Sequence, residues 1–198
     1  MKEYNKIDTV FERDMNGSKK LIEGEFRSEA VKYLARCTWR FTEKIDGTNI
    51  RIHWDGHKIT FGGRTERANI PAHLVNKLSE IFLGNETEEL FEQKFGEKEV
   101  ILFGEGYGVK IQNGGDYRPD VGFILFDVMI GENYQPRETV EEIAKCFGLE
   151  IVPIIMEGTI AEAVYFVKQK QIQPLAKRKW RVWWAARWWK CRIDAGSD

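Results

Sequence analysis

Within Thr42-Glu43-Lys44-Ile45-Asp46-Gly47-Thr48-Asn49, a lysine, a carboxylate, a glycine and an amide side chain fall inside six residues. A lysine amine attacks only when it is neutral, which requires desolvation or a cationic neighbour to lower its pKa. Beside a phosphate it has a consistent use: attack on the α-phosphorus of a nucleotide, giving a phosphoramidate and expelling pyrophosphate. That chemistry needs an arginine on the sugar or phosphate, for which Arg64 is the candidate. It needs an aromatic face for the base (Phe126 or Phe123) and a carboxylate for sugar or metal (Glu105). It also needs positive charge at the leaving group and a divalent cation, here magnesium. A lone lysine beside an Asp-Gly turn is equally well an ordinary solvated side chain. The rest of the chain separates the two readings.

Stepwise alternation in Ile50-Arg51-Ile52-His53-Trp54 predicts a strand, and Trp39-Arg40-Phe41 predicts another before it. Asp46-Gly47 is therefore a bend or bulge between strands, able to hold the lysine rigid. On the second strand Ile50, Ile52 and Trp54 share one face, leaving Asn49, Arg51 and His53 on the other. Asp55-Gly56 predicts a hairpin into Lys58–Phe61. That strand runs into Gly62-Gly63-Arg64-Thr65, where paired glycines allow close backbone approach and an arginine is delivered at the strand end. Val100–Phe103 and Phe123–Phe126 are continuous apolar runs, as in central strands covered on both sides. The first ends in Gly104-Glu105-Gly106-Tyr107-Gly108 and the second in Asp127. Two buried strands each ending in an acid, beside a lysine bend, favour a site over a solvated loop.

The remaining elements are framework. Ile7–Phe11 and Lys20–Phe26 read as extended segments around the turn Asp14–Ser18, and Ser28 caps a helix through Arg36. Pro71 opens a helix carrying Leu74, Val75, Leu78, Ile81 and Phe82, and an amphipathic segment follows from Glu88 to Phe95. Arg137–Phe147 is a helix closed by Gly148, and Leu149–Ile155 is a strand. Thr159 with Glu162 forms a capping box for a helix carrying Ile160, Ala163, Val164 and Val167. The class is α+β, with mainly antiparallel sheets flanked by helices in a single domain.

Composition narrows the function. The 198 residues suit one domain with a proper core, and no apolar run approaches a membrane span, so no membrane partner is expected. Cys37, Cys146 and Cys191 are odd in number and far apart, which reads as free thiols in a reducing, cytoplasmic setting. His53, His57 and His73 lack metal-ligand spacing. The net charge of −1 is uneven: residues 177–198 hold seven Lys/Arg against two Asp/Glu, so the body is acidic. Such a body does not bind nucleic acid by bulk charge, and polynucleotide contact must come from a local groove.

Glu43-Lys44-Ile45-Asp46-Gly47-Thr48-Asn49 resembles nucleotidyl motif I of the covalent nucleotidyltransferases, in the form Lys-x-Asp/His-Gly-x-Asn usual in ATP-dependent RNA ligases of phage type. Gly62-Gly63-Arg64-Thr65 is similar to that family's arginine motif, Phe103–Gly108 to motif III, and Phe123–Asp127 to motif IIIa. The ordered set is far more specific than any single piece. The resemblance implies an ATP-grasp-like adenylation domain over residues 1–176. It makes Lys44 the adenylylated nucleophile, with Glu43 near the adenine and Ile45, Asp46 and Gly47 in the nucleotide-binding motif. Asn49 and Arg64 would serve the nucleotide and the RNA end, Glu105 the ribose or a metal, and Phe126 would stack on the base. ATP is then co-substrate with Mg2+, and the partners are RNA ends bearing a 5′-phosphate and a 3′-hydroxyl. A DNA ligase or an mRNA capping guanylyltransferase shares the chemistry but normally adds an OB-fold, for which these residues leave no room. A non-catalytic module holding nucleotides or RNA ends is the alternative from another class.

Two family pieces are missing: motif IV, Glu-Gly-[Ile/Leu/Val]-Val on a strand, and motif V, a Lys-x-Lys strand meeting the triphosphate. Glu157-Gly158-Thr159-Ile160 imitates motif IV but runs straight into the capped helix. Residues 177–198 form an aberrant tail in which five of the seven tryptophans fall without a period of 2 or 3.6. As a basic, aromatic stretch it could be a nucleic-acid arm. The preferred hypothesis is a shifted reading frame. With AAA for Lys179 and AGG for Arg181, Lys179–Ala185 is AAA TGG AGG GTN TGG TGG GCN. Read from the third base this becomes ATG GAG GGT NTG GTG GGC, or Met-Glu-Gly-(Leu/Val/Met)-Val-Gly, the missing motif IV. Sequencing the coding DNA decides it, since incompatible codons would remove the idea.

Overall fold

The computed structural model describes residues 2–5, 9–65, 67–112, 117–169 and 190–192. The chain separates into two compact units: Asn5–Lys44 with Pro153–Asp198, here the lysine unit, and Met1–Tyr4 with Ile45–Val152, here the sheet unit.

In the lysine unit, aromatic pairing sets the first strands. Strand β1 (Phe11–Arg13) pairs antiparallel with β2 (Leu21–Phe26), bringing the Phe11 and Phe26 rings to 5.4 Å. The predicted strand Ile7–Phe11 is thus displaced, because pairing starts where those two rings meet; residues 6–8 lie outside the described part. The Asp14 carboxylate closes the turn by accepting the Gly17 and Ser18 N–H groups at 2.8 and 2.7 Å. Ser28 caps α1 (Glu29–Tyr33), its hydroxyl accepting from the Val31 N–H, and the helix tightens into a 3-10 turn over Leu34–Arg36. Strand β3 (Trp39–Thr42) leads to Lys44.

The sheet unit is built on β4 (Thr48–Trp54), β5 (Ile59–Gly62), β6 (Val100–Gly108), β7 (Val121–Ile130), β8 (Asn133–Tyr134) and β9 (Glu150–Ile151). Strand order is β5-β4-β6-β7-β8, antiparallel throughout, with β9 added parallel to β7. Helices α2 (Ala72–Phe82), α3 (Asn85–Phe95) and α4 (Arg137–Cys146) contribute to its main apolar core. There Ile50, Ile52 and Trp54 meet Leu74, Leu78, Phe82, Phe91 and Val140, all at most 2% exposed. Each such burial contributes about 1.5–3 kcal/mol. Pro71 sits one position before α2 as its cap, and α3 starts three residues before the predicted Glu88.

Three differences from the sequence reading matter for the site. Strand β6 does not stop at Phe103 but continues through its glycines to Gly108, because those glycines accommodate close neighbours. A Cβ on Gly104 would lie 2.2 Å from the Phe123 ring, and one on Gly106 would lie 2.4 Å from Leu74. Glu105 and Asp127 therefore lie inside strands, not at their ends. The ladder also slips between Phe103, opposite Asp127, and Gly104, opposite Leu125, leaving Phe126 as an extra residue in a bulge.

The predicted strand Leu149–Ile155 breaks in two at Pro153, which has no N–H with which to continue a ladder. Val152 donates to the Leu125 carbonyl in the sheet unit, while the Pro153 carbonyl accepts the Glu43 N–H in the lysine unit. Beyond it, β10 (Ile154–Gly158) flanks β3 and runs into α5 (Ile160–Lys168), which carries the Thr159–Glu162 capping box. Helix α5 buries Ile160, Ala163 and Val167 in a core with Phe11, Trp39 and Phe41. On the other side of β3 lies β11 (Lys190–Arg192), with Lys190 opposite Thr42. The rest of the 177–198 tail, and with it the shifted-frame segment Lys179–Ala185, lies outside the described residues.

Candidate active site

Lys44 closes the lysine unit and Ile45 opens the sheet unit, so the candidate nucleophile sits on a covalent crossing of the chain. Lys44 is half-buried; Glu43 before it and Ile45 after it are 1% and 2% exposed. With its two neighbours sealed in, the lysine backbone has little freedom to rotate away.

In the sheet unit the bend after the lysine is fixed from two sides. Gly47 packs so closely on β6 that a Cβ would fall 2.3 Å from the Gly106 carbonyl oxygen and 2.9 Å from Glu105 Cγ. Only glycine fits there, and for reasons of space. The Asp46 N–H donates to the Tyr117 hydroxyl at 3.2 Å. Two residues past Gly47, Asn49 stands directly opposite Glu105 across the β4–β6 ladder. The Asn49 Oδ1 is buried without a hydrogen-bond partner among the described residues, an acceptor suited to a ligand donor.

Of the two aromatic candidates, Phe123 belongs to the helix-side core, edge-on to Phe82 at 5.5 Å. Phe126 lies on the opposite face of the sheet, half-buried and edge-on to Tyr4 at 5.1 Å. The bulge turns Phe126 and its neighbour Asp127 to that one face, where Asp127 accepts a hydrogen bond from the Tyr4 hydroxyl. Arg64 is exposed, and no hydrogen bond or ion pair among the described residues joins it to Asn49 or Glu105. Its approach is held by Arg51, which is fully buried: Nε donates to the Gly63 carbonyl at 2.7 Å and Nη1 to the Lys2 carbonyl at 3.0 Å. The structure thus gathers Asp46, Gly47, Asn49 and Glu105, sets Phe126 on the bulge, and leaves Arg64 at the end of β5.

Sequence reasoning missed Arg51 as more than an outward strand residue, gave Tyr107 no role of its own within the Gly104–Gly108 run, and missed Tyr4, Tyr117 and Arg118 altogether. Tyr107 donates its hydroxyl to Glu150, and burial followed by that carboxylate pushes its phenol up to about 12, so it stays neutral. Arg118 holds Asp120 through two bonds of 2.6 and 2.9 Å and reaches Glu150 at 3.3 Å. The Asp120 carboxylate, bonded to that guanidinium, is lowered in pKa, and the guanidinium is raised in turn. The only local signal was Gly106-Tyr107-Gly108, an aromatic between glycines.

The RNA ligase family profile matches residues 38–181, more than half of the chain. Among solved structures, a Naegleria gruberi RNA ligase with pyrophosphate is similar at a TM-score of 0.60 and 16% identity, over 90% of this chain and 57% of that one. A mutant of the same ligase with ATP and manganese gives 0.59 and 18% over 75% of this chain and 45% of that one. At such identities the likeness speaks for the fold, and this chain spans about half the length of the ligases it matches. No curated protein matches it by sequence.

Proposed function

Since this chain belongs to the RNA ligase family, we propose that it joins RNA 5′-phosphate and 3′-hydroxyl ends at the expense of ATP, through a lysine–AMP intermediate on Lys44. The observation that carries the proposal is the bend after Lys44: Gly47 seated on Gly106, with Asn49 facing Glu105 two residues on.

The neutral Lys44 amine attacks the α-phosphorus; the N–P bond forms, the bond to the β-phosphate oxygen breaks, and pyrophosphate leaves as the amine loses a proton. An RNA 5′-phosphate oxygen then takes the AMP, freeing Lys44, and the RNA 3′-hydroxyl displaces AMP to close the phosphodiester. Phe126 offers a base-stacking face, Glu105 orients the ribose, and Asn49 and Arg64 serve the nucleotide and the RNA end. Glu43, Ile45, Asp46 and Gly47 hold the lysine and line the nucleotide.

Among the described residues no group of three His, Cys, Asp or Glu could cage a metal. Magnesium arriving on the triphosphate would need only one or two protein carboxylates, and Glu105 would be the candidate here. When bound, the ion would supply neutralisation of phosphate charge. The aberrant tail stands where the family's motif V cations would follow, so adenylylation by this chain is expected to be slow. The free, exposed thiols of Cys37 and Cys146 suit a reducing cytoplasm. No helix among the described residues is long and apolar enough to cross a membrane.

Incubation with α-labelled ATP and magnesium tests this directly. Label should appear on the protein, and Lys44→Ala should reduce it by at least about a thousandfold, the scale expected for loss of the nucleophile. Label that persists in Lys44→Ala, or that appears with GTP in preference to ATP, would overturn it.

A further inference from the structure

The Asp46 N–H sits in a bend and enters no strand ladder, so it needs a partner from elsewhere. Tyr117 provides one, its hydroxyl oxygen accepting at 3.2 Å. That hydroxyl does not sit on a free loop end. The Tyr117 ring stands edge-on to Tyr107, with centroids 5.9 Å apart and planes at 80°. Tyr107 is anchored in β6, 5% exposed, and its own hydroxyl donates to Glu150 on β9. Arg118 then locks the pair. Its guanidinium lies 5.4 Å from the Tyr107 ring centroid, forks onto Asp120, and reaches Glu150. Little room is left around it: a Cβ on Gly122 would fall 2.2 Å from Arg118 Nη1, and one on Gly108 would fall 1.9 Å from the Asp120 carbonyl oxygen.

We propose that Tyr117 is a positioning residue for the Asp46-Gly47 bend, and that Arg118, through Tyr107 and Glu150, holds Tyr117 in place. Gly106 presses on the bend from one side and the Tyr117 hydroxyl pins the peptide next to it. The bend begins two residues after Lys44, so its geometry sets the direction from which the lysine amine approaches. Positioning of this kind acts on the rate of a bound complex, since small displacements of a reacting group cost large factors. The consequence for catalysis rests on the reading of Lys44 as nucleophile; the positioning of the bend does not.

Tyr117→Phe in the full chain removes the acceptor and keeps the ring. Hydrogen exchange at the Asp46 amide should accelerate at least tenfold, with the amides of β4 and β6 unchanged. Arg118→Lys, which keeps the charge but loses the fork, should move the same amide in the same direction by less. No change at Asp46, or acceleration spread through the sheet, would overturn the proposal. In single-turnover lysine labelling, Tyr117→Phe should lower the rate at saturating ATP about tenfold and leave the half-saturating ATP concentration unaltered. A change confined to that concentration would also overturn it. A parent protein that takes no label, but whose Asp46 amide is released in Tyr117→Phe, counts against self-adenylylation by this chain and upholds the positioning.

Discussion

Ile50, Ile52 and Trp54 point from β4 toward the helices, while Asn49 and Arg51, one residue out of phase, look the other way. The helix side is filled mainly by apolar contact: Phe82 sits edge-on to Phe61 and Phe123, with Leu74 and Leu78 beside it. On the opposite side burial is just as complete at Arg51, but directed bonds hold it together. Close packing makes the first side intolerant of lost volume, whereas the second is intolerant of lost partners.

Substitutions can break this contrast. Phe82→Ala should cost about 4 kcal/mol by urea unfolding, since it opens a cavity among side chains that cannot collapse. Arg51→Met keeps most of the volume but strands the Gly63 and Lys2 carbonyls, and should cost about 3 kcal/mol. A stability gain in Arg51→Met would mean that desolvating the guanidinium outweighs its bonds, and the contrast between the faces would fall. The smallest effect belongs to Tyr107→Phe, and pH sharpens it. Because the folded phenol is pushed up to about 12 from 10.0, its contribution is complete below pH 10 and is lost as pH climbs through 12. Urea midpoints of the parent protein should therefore fall more steeply between pH 10 and 12 than those of Tyr107→Phe, and parallel slopes would reject the role of burial and Glu150.

Much of the framework was legible because it rests on local rules. Ser28 caps α1 and Thr159 with Glu162 caps α5, since a side-chain oxygen three residues from a free N–H is a short-range geometry. Alternation gave the inward face of β4 for the same reason. Strand ends were read less well. Gly104 and Gly106 look like breakers until Phe123 and Leu74 are seen to need their space. The bulge at Phe126 has no local signature either, yet it turns Phe126 and Asp127 to the same face.

By itself, then, the sequence determined the α+β class, the place of the bend after Lys44, the hairpin and the caps, each announced by a local residue pattern. Only tertiary structure decided that Arg51 is buried, that Pro153 divides one predicted strand between two units, and that Tyr117 reaches Asp46. Those partners are far apart in sequence, 71 residues between Asp46 and Tyr117. No local pattern encodes such a pairing; it is chosen by packing once the sheet has formed.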